Sequence, residues 1–290
     1  MHVVTTADAA AITKVEGTAY VAKVGDTLPS LVVGADEWMV LPDGKVCKVA
    51  PVTTPPAFAW QPIPTGWKLL QRIDLRSATA TPATLWNYAG QPGGTSGCLW
   101  RSDADTLQWT AEGAVYRTHF DTATNMWISA GLGTQMKVAA PLRARVYERM
   151  VDNNIGGLNK INLLWASAWT DTEVDFDECA ASGGKLSCSI ARIHDGSSGD
   201  CTSPITQPVA QDFAPHCYEV ELVNNRMTIY VDGVAAMPGV PIPAAEWTDL
   251  TTKPHWIGAQ SQGYSLPSMP ADHTLVSKRV ISGFEFLVPA

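Results

Sequence analysis

Glu173-Val174-Asp175-Phe176-Asp177-Glu178 alternates acidic and apolar side chains as far as position 177. This is the period-2 pattern of a β-strand, and it sets Glu173, Asp175 and Asp177 on one face and Val174 and Phe176 on the other. Carboxylates crowded on one strand face repel one another, which raises the proton affinity of at least one of them. Glu178 falls on the wrong face of a regular strand, but a β-bulge inserting one residue shifts the phase and returns it to the side of Glu173. With that bulge the Cα atoms of Glu173 and Glu178 lie roughly 13 Å apart, each side chain reaches roughly 4 Å inward, and roughly 5 Å remains between the carboxyl groups. Two carboxyl groups at that separation suit retaining cleavage of a glycosidic bond, which needs an acid at the leaving oxygen and an ionised carboxylate at the anomeric carbon. A solvent-facing acidic strand is the plainer reading of the same residues.

Outward from this strand, strand-like segments recur from Trp67 to the end at roughly 8- to 12-residue spacing, with Gly, Asn, Asp and Pro between them. No internal repeat is visible, which disfavours propellers and solenoids. The expected fold is all-β, a double-sheet jelly-roll sandwich. Only Asp8 to Ile12 suggests helix. Residues 15–50 alternate short apolar runs with turn signals such as Pro42-Asp43-Gly44-Lys45 and read as a small hairpin-based module. The prolines at 51, 55, 56, 62 and 64 stiffen the chain into an extended linker. The domains expected are thus 1–60, an N-terminal module with a Pro-rich linker, and 61–290, the sandwich.

The net charge of -8 and the lack of any Lys/Arg cluster remove the electrostatic footprint of a nucleic-acid partner. No apolar segment approaches the ~20 residues that span a bilayer, so no membrane insertion is expected. The start, Met1-His2-Val3-Val4-Thr5-Thr6, lacks the basic and apolar runs of a secretory signal. Eleven tryptophans supply flat faces that suit sugar rings and cores equally. The cysteines at 47, 98, 179, 188, 201 and 217 contain no C-x-x-C spacing, which argues against a zinc site. Cys179 with Cys188 and Cys201 with Cys217 is one of three pairings of the clustered four, and buried free thiols are the alternative.

Glu173-x-Asp175-x-x-Glu178 resembles the active-site strand of the family 16 glycoside hydrolases, which share a concanavalin A-like jelly roll. Further segments are similar in the same order. Leu142-Arg143-Ala144-Arg145-Val146 resembles a strand preceding the catalytic one, and Trp165-x-x-x-Trp169 resembles the substrate-facing tryptophans. Ser189 to His194 resembles a strand ending in a site-facing histidine. His216-Cys217-Tyr218-Glu219-Val220-Glu221 with Met227 to Gly233 resembles the family's H-x-Y-x-x-E and I-x-x-Y-x-D-G hairpin, and Arg279 to Phe286 its closing strand. The likeness covers about residues 67–290. Leu222 stands where a tryptophan is expected, and Lys253-Pro254-His255-Trp256-Ile257-Gly258 lacks the usual asparagine.

The resemblance implies Glu173 as nucleophile, Glu178 as acid then base, and Asp175 as the carboxylate that orients Glu173. It implies Trp165, Trp169, His194 and Trp256 at the substrate and a structural role for His216. The family often carries a calcium ion on its convex face, but no D-x-D-x-D-G loop announces one here; no cofactor or metal is assigned. The activity implied is a retaining endo-glycosidase acting on a β-linked envelope or capsule polysaccharide. Gly17 to Ala22 with Gly25 to Pro29 resembles openings of bacteriophage tail proteins. That likeness implies a virion or extracellular setting in which residues 1–60 dock to other virion proteins, with the chain a homo-oligomer within the assembly. The alternative is a non-catalytic carbohydrate-binding or structural virion protein of the same fold.

Overall fold

The computed structural model describes residues 2–3, 20–21, 37–40, 45–49, 58–89, 98–121, 123, 126–153, 157–164, 172–182, 185–186, 190–195, 199–200, 205–206, 214–263 and 276–290, with the backbone alone at some strand positions, among them Phe176, Glu178 and His194. The chain divides into two compact units, Met1–Pro56 and Ala57–Ala290. In the first, β1 (His2–Val3), β2 (Tyr20–Val21), β3 (Glu37–Val40) and β4 (Lys45–Val49) form an antiparallel sheet in the order β1-β3-β4-β2. The helix expected over Asp8 to Ile12 lies outside the described residues.

The second unit contains β5 (Trp67–Asp74), β6 (Leu85–Asn87), β7 (Cys98–Trp100), β8 (Leu107–Thr110), β9 (Gly113–Asp121), β10 (Met126–Thr134), β11 (Leu142–Asn153), β12 (Gly157–Leu164), β13 (Thr172–Ser182), β14 (Lys185–Leu186), β15 (Ile190–Asp195) and β16 (Gly199–Asp200). It continues through β17 (Ile205–Thr206), β18 (His216–Val223), β19 (Arg226–Val231), β20 (Val234–Pro241), helix α1 (Ala244–Thr252), β21 (Trp256–Gly263) and β22 (Val276–Pro289). Two layers result. The back sheet runs β20-β19-β18-β11-β22, and β22 then pairs with β5 through its last residues and with β9 through its first. The second, here the site sheet, runs β6-β10-β21-β12-β13-β15-β16. Strand β10 belongs to both: Met126 to Ile128 pairs with β9, and Ala130 to Gly133 with β21. The all-β sandwich read from strand spacing is the fold observed.

Alternation explains the layers. On β11, Leu142, Ala144 and Val146 turn inward and pack in one core with Val220, Leu222, Phe284 and Phe286 of the back sheet and with Leu132, Val174, Ile257 and Ala259 of the site sheet. The residues between them, Arg143 and Arg145, face outward and build an ion network. Arg143 binds Glu219 and Glu221, and Arg145 sits between Glu219 and Glu285, with Nη1 3.2 Å from Glu285 Oε2.

This network is sealed by Phe58 to Pro64. Arg145 donates to the carbonyls of Gln61 and Pro62 at 3.2 and 3.0 Å, while Tyr147 donates to Glu285 at 2.8 Å and accepts from the Gln61 amide at 2.9 Å. Trp60 lies across Gly283, where a Cβ would meet its ring at 2.6 Å. Arg72 stacks over the same indole at 4.5 Å. The segment thus turns buried charges that would otherwise be costly into satisfied ones.

His216 behaves structurally. Its Nδ1 lies 2.6 Å from Asp232 Oδ2, and Asp232 Oδ1 accepts the Cys217 amide at 2.8 Å. Asp232 and Gly233 have positive φ (51° and 78°), as a two-residue primed turn between paired Val231 and Val234 requires. Cys217 is a free, buried thiol, which removes the Cys201 to Cys217 pairing. Helix α1 was not anticipated. It begins after Pro243, whose extended ψ of 151° starts it without a side-chain cap, carries Glu246 in its first turn, and buries Leu250. An apolar face of a single buried residue is too weak a periodic signal to read from sequence.

Candidate active site

The bulge predicted in the acidic strand is present. Across the β12–β13 ladder, Leu164 opposes Glu173, Leu163 opposes Val174 and Asn162 opposes Asp175; then Ile161 opposes Asp177 and Lys160 opposes Glu178. Phe176 is the extra residue without a ladder partner. Positions 173, 175 and 178 therefore share the parity of Leu164, Asn162 and Lys160, while Val174 and Asp177 share the other. Val174 belongs to the core, which fixes the first set on the face away from it, the site face. One expectation is corrected: Asp177 does not join Glu173 and Asp175, because the inserted residue moves it to the core side.

Glu173 is 7% exposed and Asp175 is fully buried. The start of their strand is held at both backbone groups of Thr172. Its amide points to Asp249 Oδ2 of α1 at 3.5 Å, and its carbonyl lies 3.2 Å from His255 Nε2, whose Nδ1 is 2.8 Å from the Lys253 carbonyl. Burial pushes the His255 imidazole below its ordinary pKa, against the opposing pull of those two carbonyls. On the far side of β13, His194 of β15 opposes Glu173 and Arg192 opposes Asp175, which puts position 194 in the row of Glu173.

An aromatic wall stands on the same face. Trp86 opposes Gly133 and the Tyr88 amide donates to the Gly131 carbonyl at 3.0 Å, so both rings lie over glycines of β10. A Cβ at Gly133 would come 2.6 Å from Trp86, and one at Gly131 2.8 Å from Tyr88. The two rings stack at 4.8 Å, and Trp256 meets them edge-on at 4.7 and 5.8 Å. The ladder leads from Trp256 through Leu164 to Glu173, two strand spacings or roughly 10 Å. Tyr88 is buried and its phenol pKa is raised by desolvation first, then by the charges of Tyr116 and Glu173. Of these three rings only Trp86 is half-buried; Tyr88 and Trp256 are covered.

Trp165 and Trp169 lie outside the described residues. Trp256 is on the site face, packed beneath Trp86. Trp86 and Tyr88 escaped the sequence reading because a strand of three residues, Leu85–Asn87, is too short to display alternation. Among the described residues no cluster of three or more His, Cys, Asp and Glu side chains is arranged to hold a metal ion.

No protein-family model matches the sequence, and no curated protein matches it. The fold does match solved structures. The endo-1,3-β-glucanase from Streptomyces sioyaensis superposes with a TM-score of 0.63 at 18% identity, covering 79% of this chain and 99% of that one. SCLam, a non-specific endo-β-1,3(4)-glucanase from glycoside hydrolase family 16, gives 0.64 at 15%, covering 82% and 97%. The endo-β-1,3-glucanase from Pyrococcus furiosus gives 0.60 at 16%, covering 77% and 95%. At these identities the likeness establishes the jelly-roll sandwich.

Proposed function

We propose that this chain is a retaining endo-glycosidase that cleaves a β-linked polysaccharide of the β-glucan class. One observation carries the reading: the single-residue bulge at Phe176, which restores position 178 to the face of Glu173 and Asp175. In the proposed reaction Glu173 attacks the anomeric carbon and Glu178 protonates the departing oxygen, so that a glycosyl-enzyme ester forms as the glycosidic bond breaks. Glu178 then takes a proton from water, which attacks the same carbon and releases Glu173. Asp175, buried and between the two along the strand, orients Glu173 and shares its charge. Trp86 offers the half-exposed ring on which a sugar stacks, and Trp256 supports it from below.

The choice of β-glucan is supported by the names of the superposing enzymes, which are endo-β-1,3- and endo-β-1,3(4)-glucanases. The finer setting we propose is a phage virion that meets an envelope or capsule polysaccharide of its host. Its support is the likeness of Gly17 to Pro29 to tail-protein openings, and an antibody to the sandwich that fails to label purified virions overturns it.

Glu173→Gln abolishes the release of reducing ends from a soluble β-1,3-glucan while glycan binding persists. Glu178→Ala leaves slow turnover that added azide accelerates, because azide needs no general base. Unchanged turnover in Glu173→Gln overturns the assignment, and binding without turnover in the native chain makes it a carbohydrate-binding protein instead.

A further inference from the structure

On the core side of the same strand lies a charged cluster that the reaction does not use directly. Arg279 of β22 is fully buried, forms an ion pair with Glu148 of β11, and places Nη2 3.6 Å from Asp177 Oδ2. Its Nη1 donates to the Gln260 carbonyl at 2.9 Å. The ladder gives these contacts their meaning. Gln260 opposes Lys160, and Lys160 opposes Glu178. One guanidinium rooted in the back sheet thus grips the site sheet at the row of position 178 and at the residue just before it. Beside it Thr118, also of the back sheet, donates to the Ser261 carbonyl at 2.9 Å and meets its hydroxyl at 2.7 Å.

A bulge leaves its extra residue unpaired, so the ladder alone does not specify at which residue the phase changes. If the slip were lost, or came only after Asn159, Asp177 would oppose Lys160 on the site face and Glu178 would oppose Asn159 on the core side. An interior cation that engages Asp177 opposes that register, because it would leave the guanidinium facing a single carboxylate and put a second glutamate into the apolar layer. We propose that Arg279 and Asp177 are positioning residues for the proton-transferring carboxylate: the buried guanidinium holds the bulge of β13 in the phase that brings position 178 to the site face. The kinetic consequence rests on the hydrolase reading; the structural consequence does not.

The test uses the full chain. Asp177→Met removes the grip but leaves Glu148 and Arg279 as a neutral pair, so the sandwich still unfolds cooperatively. Amide exchange over residues 175–179 then rises at least about tenfold. Asp177→Asn, which keeps an acceptor for the guanidinium, stays within about threefold of the native rate. On a soluble β-1,3-glucan, kcat of Asp177→Met falls at least about tenfold with KM within about twofold, and the alkaline limb of its pH profile moves. Arg279→Lys, whose single ammonium cannot reach Asp177 and Gln260 together, gives the same local rise in exchange and serves if Asp177→Met does not fold. Native exchange at 175–179 in a folded Asp177→Met or Arg279→Lys chain overturns the proposal. A native chain inactive on β-glucans overturns the hydrolase reading alone, since the exchange measurement still decides this one.

Discussion

His255 has no solvent exposure and faces two backbone carbonyls, one of them on the residue that precedes Glu173. Its neutral form is favoured in the fold, whereas in the unfolded chain it takes a proton near pH 6.5. A base with a depressed folded pKa gives stability that is present above the unfolded value and is lost as the pH falls below it. The urea midpoint therefore drops between pH 7.5 and pH 5. His255→Gln removes up to about 1.4 kcal/mol per pH unit of that slope, which paired denaturation curves measure. The sequence did mark position 178 as a residue that only a bulge could bring to Glu173, since parity within a strand is a local property. The partnership of Arg279 with Asp177 was not readable in the same way. Periodicity assigns a side chain to a face but carries no information about which distant strand lies opposite.

Among the elements, β10 and β6 show how small residues shape an aromatic wall. Gly131 and Gly133 are required because the rings of Tyr88 and Trp86 occupy the space a Cβ would fill. Gly133→Ala displaces Trp86 and, if that ring binds sugar, raises KM about 3- to 10-fold with kcat preserved, as initial rates on a soluble β-1,3-glucan will measure. The strands from His216 to Gly233 were legible through their resemblance to a known hairpin; its turn, Asn224-Asn225, and the next one, Asp232-Gly233, both adopt the positive φ that two-residue turns demand of such residues. Helix α1 was illegible because its one buried residue, Leu250, gives no apolar stripe, and its tie to the site was illegible because Asp249 and the Thr172 amide are remote in sequence.

For the molecule as a whole, the chain divides between Pro56 and Ala57 into two compact units. A chain beginning at Ala57 keeps the Phe58 to Pro64 segment on Arg145 and Tyr147, and its sandwich melts where that of the full chain does. A chain beginning at Trp67 leaves Arg145 without two carbonyl acceptors and uncovers Gly283, and it loses about 3 kcal/mol or more, seen as a lower melting temperature. The passage of β10 from one sheet to the other also has an effect at this scale. Covalent chain and hydrogen-bond ladder run together there, so the two layers are bound like pages along a spine. Breathing between them is therefore expected to be easiest at the fore-edge, where β15 and β16 lie next to the strand of Glu173.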